Sequence, residues 1–273
     1  MTVNTFVGSA SAEEIVAAVR DRRVDVLAVE ELTPMMLTRL NVAGLFRILP
    51  FSQRTAARGQ RDRDLDALPD HRGHPAARHG VPGPPGAPRR RRSALWVIAA
   101  HPRSPTPALV QGWATEQRRL GKELAGDDDG SPRIVMGDFN AGGAHAVFRH
   151  LRARAGLDDA ADLAGLSSWP RMTWPADHPV LPPLTRIDHV LVSSAFTAHS
   201  VDTVAVTGTD HKAVVATLTA APTAPCVPRR RSSAAPGIVA GGSLLPPGSG
   251  RPRTVWRALP HHAGDPFWLP RLA

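Results

Sequence analysis

Ile134-Val135-Met136-Gly137-Asp138-Phe139-Asn140 is the stretch that decides how this chain is read. An apolar run of strand length ends in Asp-x-Asn, and strand side chains repeat every two residues, so Asp138 and Asn140 leave the strand end on one side. The same handover recurs elsewhere. Glu31 follows Val26-Leu27-Ala28-Val29, His101 follows Val97-Ile98-Ala99-Ala100, and Asp188-His189 follows Thr185-Arg186-Ile187. Asp210-His211 comes after the alternating stretch Val201 to Thr207. Open α/β-type sheets collect ligand sites at such strand ends, so these segments are expected to converge on one site.

The charge balance argues against a simple nucleic-acid reading. The chain has 273 residues and a net charge of +9. Residues 51–93 carry ten Arg against four Asp, and residues 219–273 carry seven Arg against one Asp, each a net of +6, which leaves −3 for the rest. The region bearing the motifs is therefore mildly acidic, whereas phosphate-backbone affinity needs basic groups on the binding surface. No apolar run reaches membrane-span length and no signal peptide is visible. The single cysteine, Cys226, leaves no internal disulfide and fits a reducing compartment. A cytoplasmic location is expected as the chain is written. The alternative is an extracytoplasmic domain clipped of an upstream membrane anchor.

Periodicity supplies the coarse architecture. Ser11-Ala12-Glu13-Glu14 reads as a capping box opening a helix to about Arg23, with Ile15, Val16 and Val19 on its apolar face. Residues 24–29 read as a strand. Residues 106–125 read as a helix with Leu109, Val110, Trp113, Leu120 and Leu124 toward the core, and 144–154 as another. A proline-punctuated loop, 169–183, leads to a strand at 187–192, and further strands are expected at 201–206 and 213–218. Strands interleaved with helices suggest a sheet sandwich flanked by helices. No Cys/His spacing for zinc, no phosphate-binding glycine pattern and no serine elbow is present.

Val3-Asn4-Thr5-Phe6, residues 25–34, Ala100 to Pro105, Gly137 to Asn140, Arg186 to Ser193 and Gly208 to Val214 together resemble the endonuclease/exonuclease/phosphatase superfamily, the deoxyribonuclease I-like fold, and occur in its order. The resemblance covers residues 1–50 and 94–218. It implies a four-layer α/β/β/α sandwich of the α/β (α+β) class, in a domain spanning residues 1–219. Residues 220–273, rich in Pro, Gly, Ser and Arg, read as a disordered tail.

Residues 54–93 fit neither the family nor any period, although two or three core strands would be expected there. A structureless insert of that length argues against a compact sheet. Reading Gly59 to Pro69 and His79 to Arg89 one nucleotide later, with GC-rich codons, yields two family-like strands. A frame shift is therefore our explanation, and the DNA sequence across codons 50–95 decides it. A genuine basic loop is the alternative.

The resemblance also implies the chemistry. Phosphodiesters resist attack because their oxygens repel nucleophiles, and a hard divalent cation offsets that charge. Mg²⁺, with Mn²⁺ as its substitute, is the implied cofactor, held by Glu31 with help from Asn4 and Asp210; Glu30 is the lesser candidate. Asp138 would position or activate the attacking water, Asn140 and His101 would contact the phosphate, and His211 would act on the scissile phosphate with its tautomer fixed by Asp188. His189 is read as packing. The expected function is a metal-dependent phosphodiesterase or phosphomonoesterase acting on a nucleic acid, a phosphorylated small molecule or a lipid, as a monomer without a stable protein partner. The rivals are a frame-disrupted, catalytically incompetent relative and a basic nucleic-acid-binding protein using the Arg tracts.

Overall fold

The computed structural model describes residues 1–54, 94–106, 109–126, 130–165 and 171–221, and the backbone of 253–258 and 265–270; of residues 53, 54 and 94 it likewise describes the backbone only. In chain order the elements are β1 (Thr2–Asn4), α1 (Ala12–Asp21), β2 (Val26–Leu32), α2 (Pro34–Val42), α3 (Leu45–Ile48) and β3 (Gln53–Arg54). Then come β4 (Ala94–Ala99), α4 (Val110–Gly126), β5 (Arg133–Asp138), α5 (Ala146–Ala155), β6 (Asp158–Asp159) and α6 (Ala160–Leu163). The chain continues through β7 (Asp188–Val192), β8 (Phe196–Val204), β9 (Ala213–Ala220), β10 (Arg253–Ala258) and β11 (Asp265–Pro270).

The strands form two sheets, one six-stranded in the order β3-β11-β2-β1-β9-β8 and one five-stranded in the order β10-β4-β5-β7-β6. Side-chain alternation distributes them over three apolar layers. Leu27 and Val29 of β2 and Val3 of β1 pack with Ile15, Val19, Met36, Leu40 and Leu45 of α1, α2 and α3. Ile98, Val135 and Leu191 pack with Trp113, Leu120, Leu124, Phe148 and Leu151 of α4 and α5. The opposite faces, with Ala28, Val97, Ile134, Met136, Val190, Val192 and Val214, meet between the sheets. Helices, sheet, sheet, helices: the four-layer sandwich implied by the resemblance is what the chain adopts.

Local chemistry explains the element ends. Ser11 caps α1, accepting from Glu14 N at 3.2 Å, but only half of the capping box forms. Glu14 reaches Thr207 N and Oγ1 at 2.7 and 2.9 Å instead, tying the helix start to the far strand loop. Thr33-Pro34 is a helix start: Thr33 Oγ1 accepts from Met36 N at 3.1 Å, and Pro34 occupies the first turn where a missing N–H costs nothing. Arg133, buried at the start of β5, donates to Leu124 O at 2.6 Å and Ala155 O at 2.9 Å. It thereby satisfies orphan carbonyls at the C-terminal ends of α4 and α5, a favourable site for a cation.

Two expectations need correction. The helix expected over 106–125 begins at Val110, and Leu109 and Val110 are exposed. The strand expected from residue 201 starts at Phe196. Within residues 220–273 the backbone of β10 runs parallel to β4, and that of β11 antiparallel to both β2 and β3. Most of 54–93, and the remainder of the tail, lie outside the described residues.

Candidate active site

Parity along the strands assembles the site. Asp138 follows Ile134 and Met136 on the inner face of β5, and Asp188 precedes Val190 and Val192 on the inner face of β7. These strands are antiparallel with Asp138 opposite Asp188, so both carboxylates come out at one end of the sandwich. Asn4 emerges at the end of β1 beside them. Strand β2 breaks its alternation on purpose. Between Val29 and Leu32 it spends three steps where β11 spends two, and Glu31 takes a positive φ of 55°. Such a bulge re-aims a side chain; here Glu30 turns inward, fully buried, while Glu31 faces the mouth.

The groups are within reach of one another. Asn4 Nδ2 donates to Glu31 Oε1 at 3.2 Å and to Asp138 Oδ2 at 3.1 Å, while its own carbonyl oxygen accepts from Phe6 N at 2.9 Å. Val7 N holds the other Glu31 oxygen at 2.7 Å. His101 Nε2 lies 3.6 Å from Asp138 Oδ2 and 3.7 Å from Glu31 Oε1. His211 Nδ1 is 2.9 Å from Asp188 Oδ2, and its Nε2 is 3.7 Å from Asp138 Oδ2. Asn140 has a positive φ of 49°; its N–H binds Asp138 Oδ1 at 2.7 Å and its side chain binds Pro102 O at 2.9 Å. Asp210 accepts from Trp174 Nε1 at 2.9 Å and stands 3.8 Å from His211 Nε2. Asn4, Glu31, His101, Asp138, Asn140, Asp188, Asp210 and His211 thus lie near one another, whereas Glu30 bonds Thr2 and His189 bonds Asp159.

Charge inside a low-dielectric end of a sandwich shifts proton affinities. Burial, reinforced by the Asp188 charge, raises the Asp138 carboxyl, with His211 and His101 pulling the other way. Burial would depress the His211 imidazole, yet the charge and hydrogen bond of Asp188, aided by Asp138 and Asp210, push it up to about 10. Burial also drives Glu30 well above the carboxylate range despite the hydroxyl of Thr2 at 2.7 Å.

The donor set suits a divalent cation. Asp138, Asp188 and His211 present ligand atoms within 4.8 Å of one another, and Asp188 Oδ1 and Asp210 Oδ1 are buried without hydrogen-bond partners. Oxygen donors and a carboxylate excess fit a hard ion better than a soft one.

The chain matches the endonuclease/exonuclease/phosphatase family over residues 1–211. It belongs to that family. Family membership places it among divalent-metal-dependent phosphoesterases. No curated protein sequence matches it. Among solved structures it is similar to a functionally unknown conserved protein from Enterococcus faecalis, with 15% identity, coverage of 77% of this chain and 91% of that one, and a TM-score of 0.54. It is also similar to D. rerio TDP2 in complex with a single-strand DNA product, at 15% identity, 77% and 91% coverage and a TM-score of 0.55. An endonuclease/exonuclease/phosphatase family protein from Bacteroides thetaiotaomicron shows 16% identity, 76% and 88% coverage and a TM-score of 0.50. At these identities the structures share the family's fold. No helix among the described residues is long and apolar enough to cross a membrane.

Sequence reading missed the supports of this family site. Asp159 is buried and bonded to His189 Nδ1 at 2.7 Å and to Arg186 at 2.9 Å; those partners hold it down at about 2 against burial. Gln117 and Trp113 reach the Asp138–Asn140 turn from α4. A buried Gln and a paired Asp carry no motif, so only the fold reveals them.

Proposed function

We propose that the protein is a Mg²⁺-dependent phosphodiesterase or phosphomonoesterase in which Asp138 and His211 act on opposite sides of the bound phosphate. The observation that carries this reading is the His211–Asp188 hydrogen bond of 2.9 Å, which leaves His211 Nε2 facing Asp138. Asp188 fixes the ring and keeps it protonated, so Nε2–H donates to a phosphate oxygen. Asp138, with its proton affinity raised by burial and by Asp188, is a better base than an exposed carboxylate. It takes the proton of the attacking water as the new P–O bond forms and the bond to the leaving oxygen breaks. Asn140 and His101 steady the phosphate oxygens.

Glu31 would be the principal ligand of Mg²⁺, with Asp210 on the acidic lining. Asn4, whose amide faces the two carboxylates, orients Glu31. The ion, when bound, supplies charge neutralisation for the phosphate and the leaving oxygen.

The test is hydrolysis of bis(p-nitrophenyl) phosphate, followed by a panel of DNA, RNA, inositol phosphate and sphingolipid substrates. Activity should require Mg²⁺ or Mn²⁺, disappear with EDTA and be lost in His211→Ala and Asp138→Asn. Equal activity in those variants would refute the assignment.

A further inference from the structure

Three consecutive carbonyls at the end of β5 are each held by a different side chain. Gln117 Nε2 donates to Phe139 O at 2.6 Å, Trp113 Nε1 to Asn140 O at 3.2 Å, and His189 Nε2 lies 3.0 Å from Ala141 O. All three side chains belong to buried residues. Trp113 and Gln117, four residues apart, share one face of α4. Glu116 on the same helix accepts from Arg103 N and Nε at 3.1 and 3.0 Å, so α4 also anchors the loop carrying His101. His189 comes from β7, on the other side. Its ring nitrogens face Asp159 Oδ2 on one side and Ala141 O and Arg186 O on the other, all oxygen atoms able to accept. The rings of Phe139 and Phe148, with centroids 5.9 and 4.5 Å away, keep it in place.

Asn140 sits in the left-handed region, which asparagine enters more readily than most non-glycine residues. On the N–H side the turn is held by Phe139 N on Ile187 O at 2.8 Å and Asn140 N on Asp138 Oδ1 at 2.7 Å, with the Asn140 side chain on Pro102 O. Side-chain donors on three successive carbonyls restrain the turn from the carbonyl side.

We infer that Trp113, Gln117 and His189 are positioning residues, a clamp that sets the peptide planes of the Asp138–Ala141 turn and so aims the Asp138 carboxylate and the Asn140 amide. This rests on the phosphoesterase reading above. None of the three is assigned a contact with the reacting atoms.

The experiment uses the full chain with Gln117→Met and Trp113→Phe, singly and together; each keeps apolar bulk and removes one donor. Hydrolysis of bis(p-nitrophenyl) phosphate with Mg²⁺, amide hydrogen exchange and thermal melting are read in parallel. The clamp predicts a roughly 10- to 100-fold loss in kcat for the pair, the scale of a misplacement of about 1 Å, with KM moved less than about twofold. It also predicts faster exchange at the Phe139 and Asn140 amides, with a cooperative melt retained. His189→Gln, which keeps a donor for Ala141 O, should retain more activity than His189→Phe. Unchanged exchange and kcat in the pair would overturn the clamp, as would loss of its cooperative melt, which would make these residues core support. If the unaltered protein fails to hydrolyse the probe, the phosphoesterase reading falls, and the exchange data still decide the clamp.

Discussion

His211 Nδ1 bonds Asp188 Oδ2 at 2.9 Å, joining the loop before β9 to the first residue of β7 across the end of the sandwich. That bond makes a buried imidazole basic, and it has two measurable consequences. His211→Ala should remove hydrolysis, and Asp188→Asn should lower kcat by about 10²- to 10⁴-fold, the range for losing a positioned acid and its orienting carboxylate. Because the folded value of about 10 lies above the unfolded 6.5, the pair's contribution to stability is complete below pH 6.5 and is lost as pH rises through 10. Urea melts between pH 6 and 10.5 should show that decline in the metal-free protein, and it should be shallower in His211→Ala.

Divalent metal should stabilise the folded chain through Glu31. At about 100 times its dissociation constant, a bound ion adds about 2.7 kcal/mol. Thermal melts with and without Mg²⁺ should therefore separate for the unaltered protein and coincide for Glu31→Ala. A persisting shift in that variant would move the ion to other ligands.

Glu30 works in the same direction as His211, starting at a lower pH. Burial, the largest effect, raises its carboxyl well above the usual range in the fold, while the unfolded chain ionises it near 4.5. Folding therefore takes up a proton, and stability falls as pH rises above 4.5, by up to about 1.4 kcal/mol per pH unit. Glu30→Gln keeps the acceptor for Thr2 Oγ1 and removes the ionisation. It should flatten this slope above pH 4.5 and leave hydrolysis nearly unchanged. A slope identical to the unaltered protein's would sink this account.

Gly137 is the position where a methyl group has nowhere to go. Its φ is +149°, and a Cβ there would collide with Ala100 O, just past the end of β4. Gly137→Ala should cost at least about 2 kcal/mol, the range for a forced backbone shift. It should also abolish hydrolysis, since Asp138 is the next residue. Denaturant titration with the activity assay checks both.

The site was more legible than its frame. Inner-face parity brings Asp138 and Asp188 to one end of β5 and β7, and His211 reaches Asp188 from the loop before β9. Periodicity did not announce α2, although Thr33-Pro34, a threonine cap followed by a first-turn proline, signals a helix start. The bulge at Glu30–Glu31 left no trace in composition, since it arises from pairing with residues more than two hundred positions away. His189, read as packing, does pack against Phe148, but its two nitrogens serve Asp159 and Ala141, which no local pattern announces.

Strand β1 has neighbours made at very different times. It pairs with β2, which follows within about thirty residues, and with β9 through Thr2 and Val214. On a ribosome β1 would keep its β9-facing row of amides and carbonyls without that partner until residue 214 had emerged, a standing invitation to pair with a stranger. The acidic pocket cannot be built before that moment either, because His211 is among the last of its members to appear. A nascent chain of this design stays chemically silent until its sheet is shut.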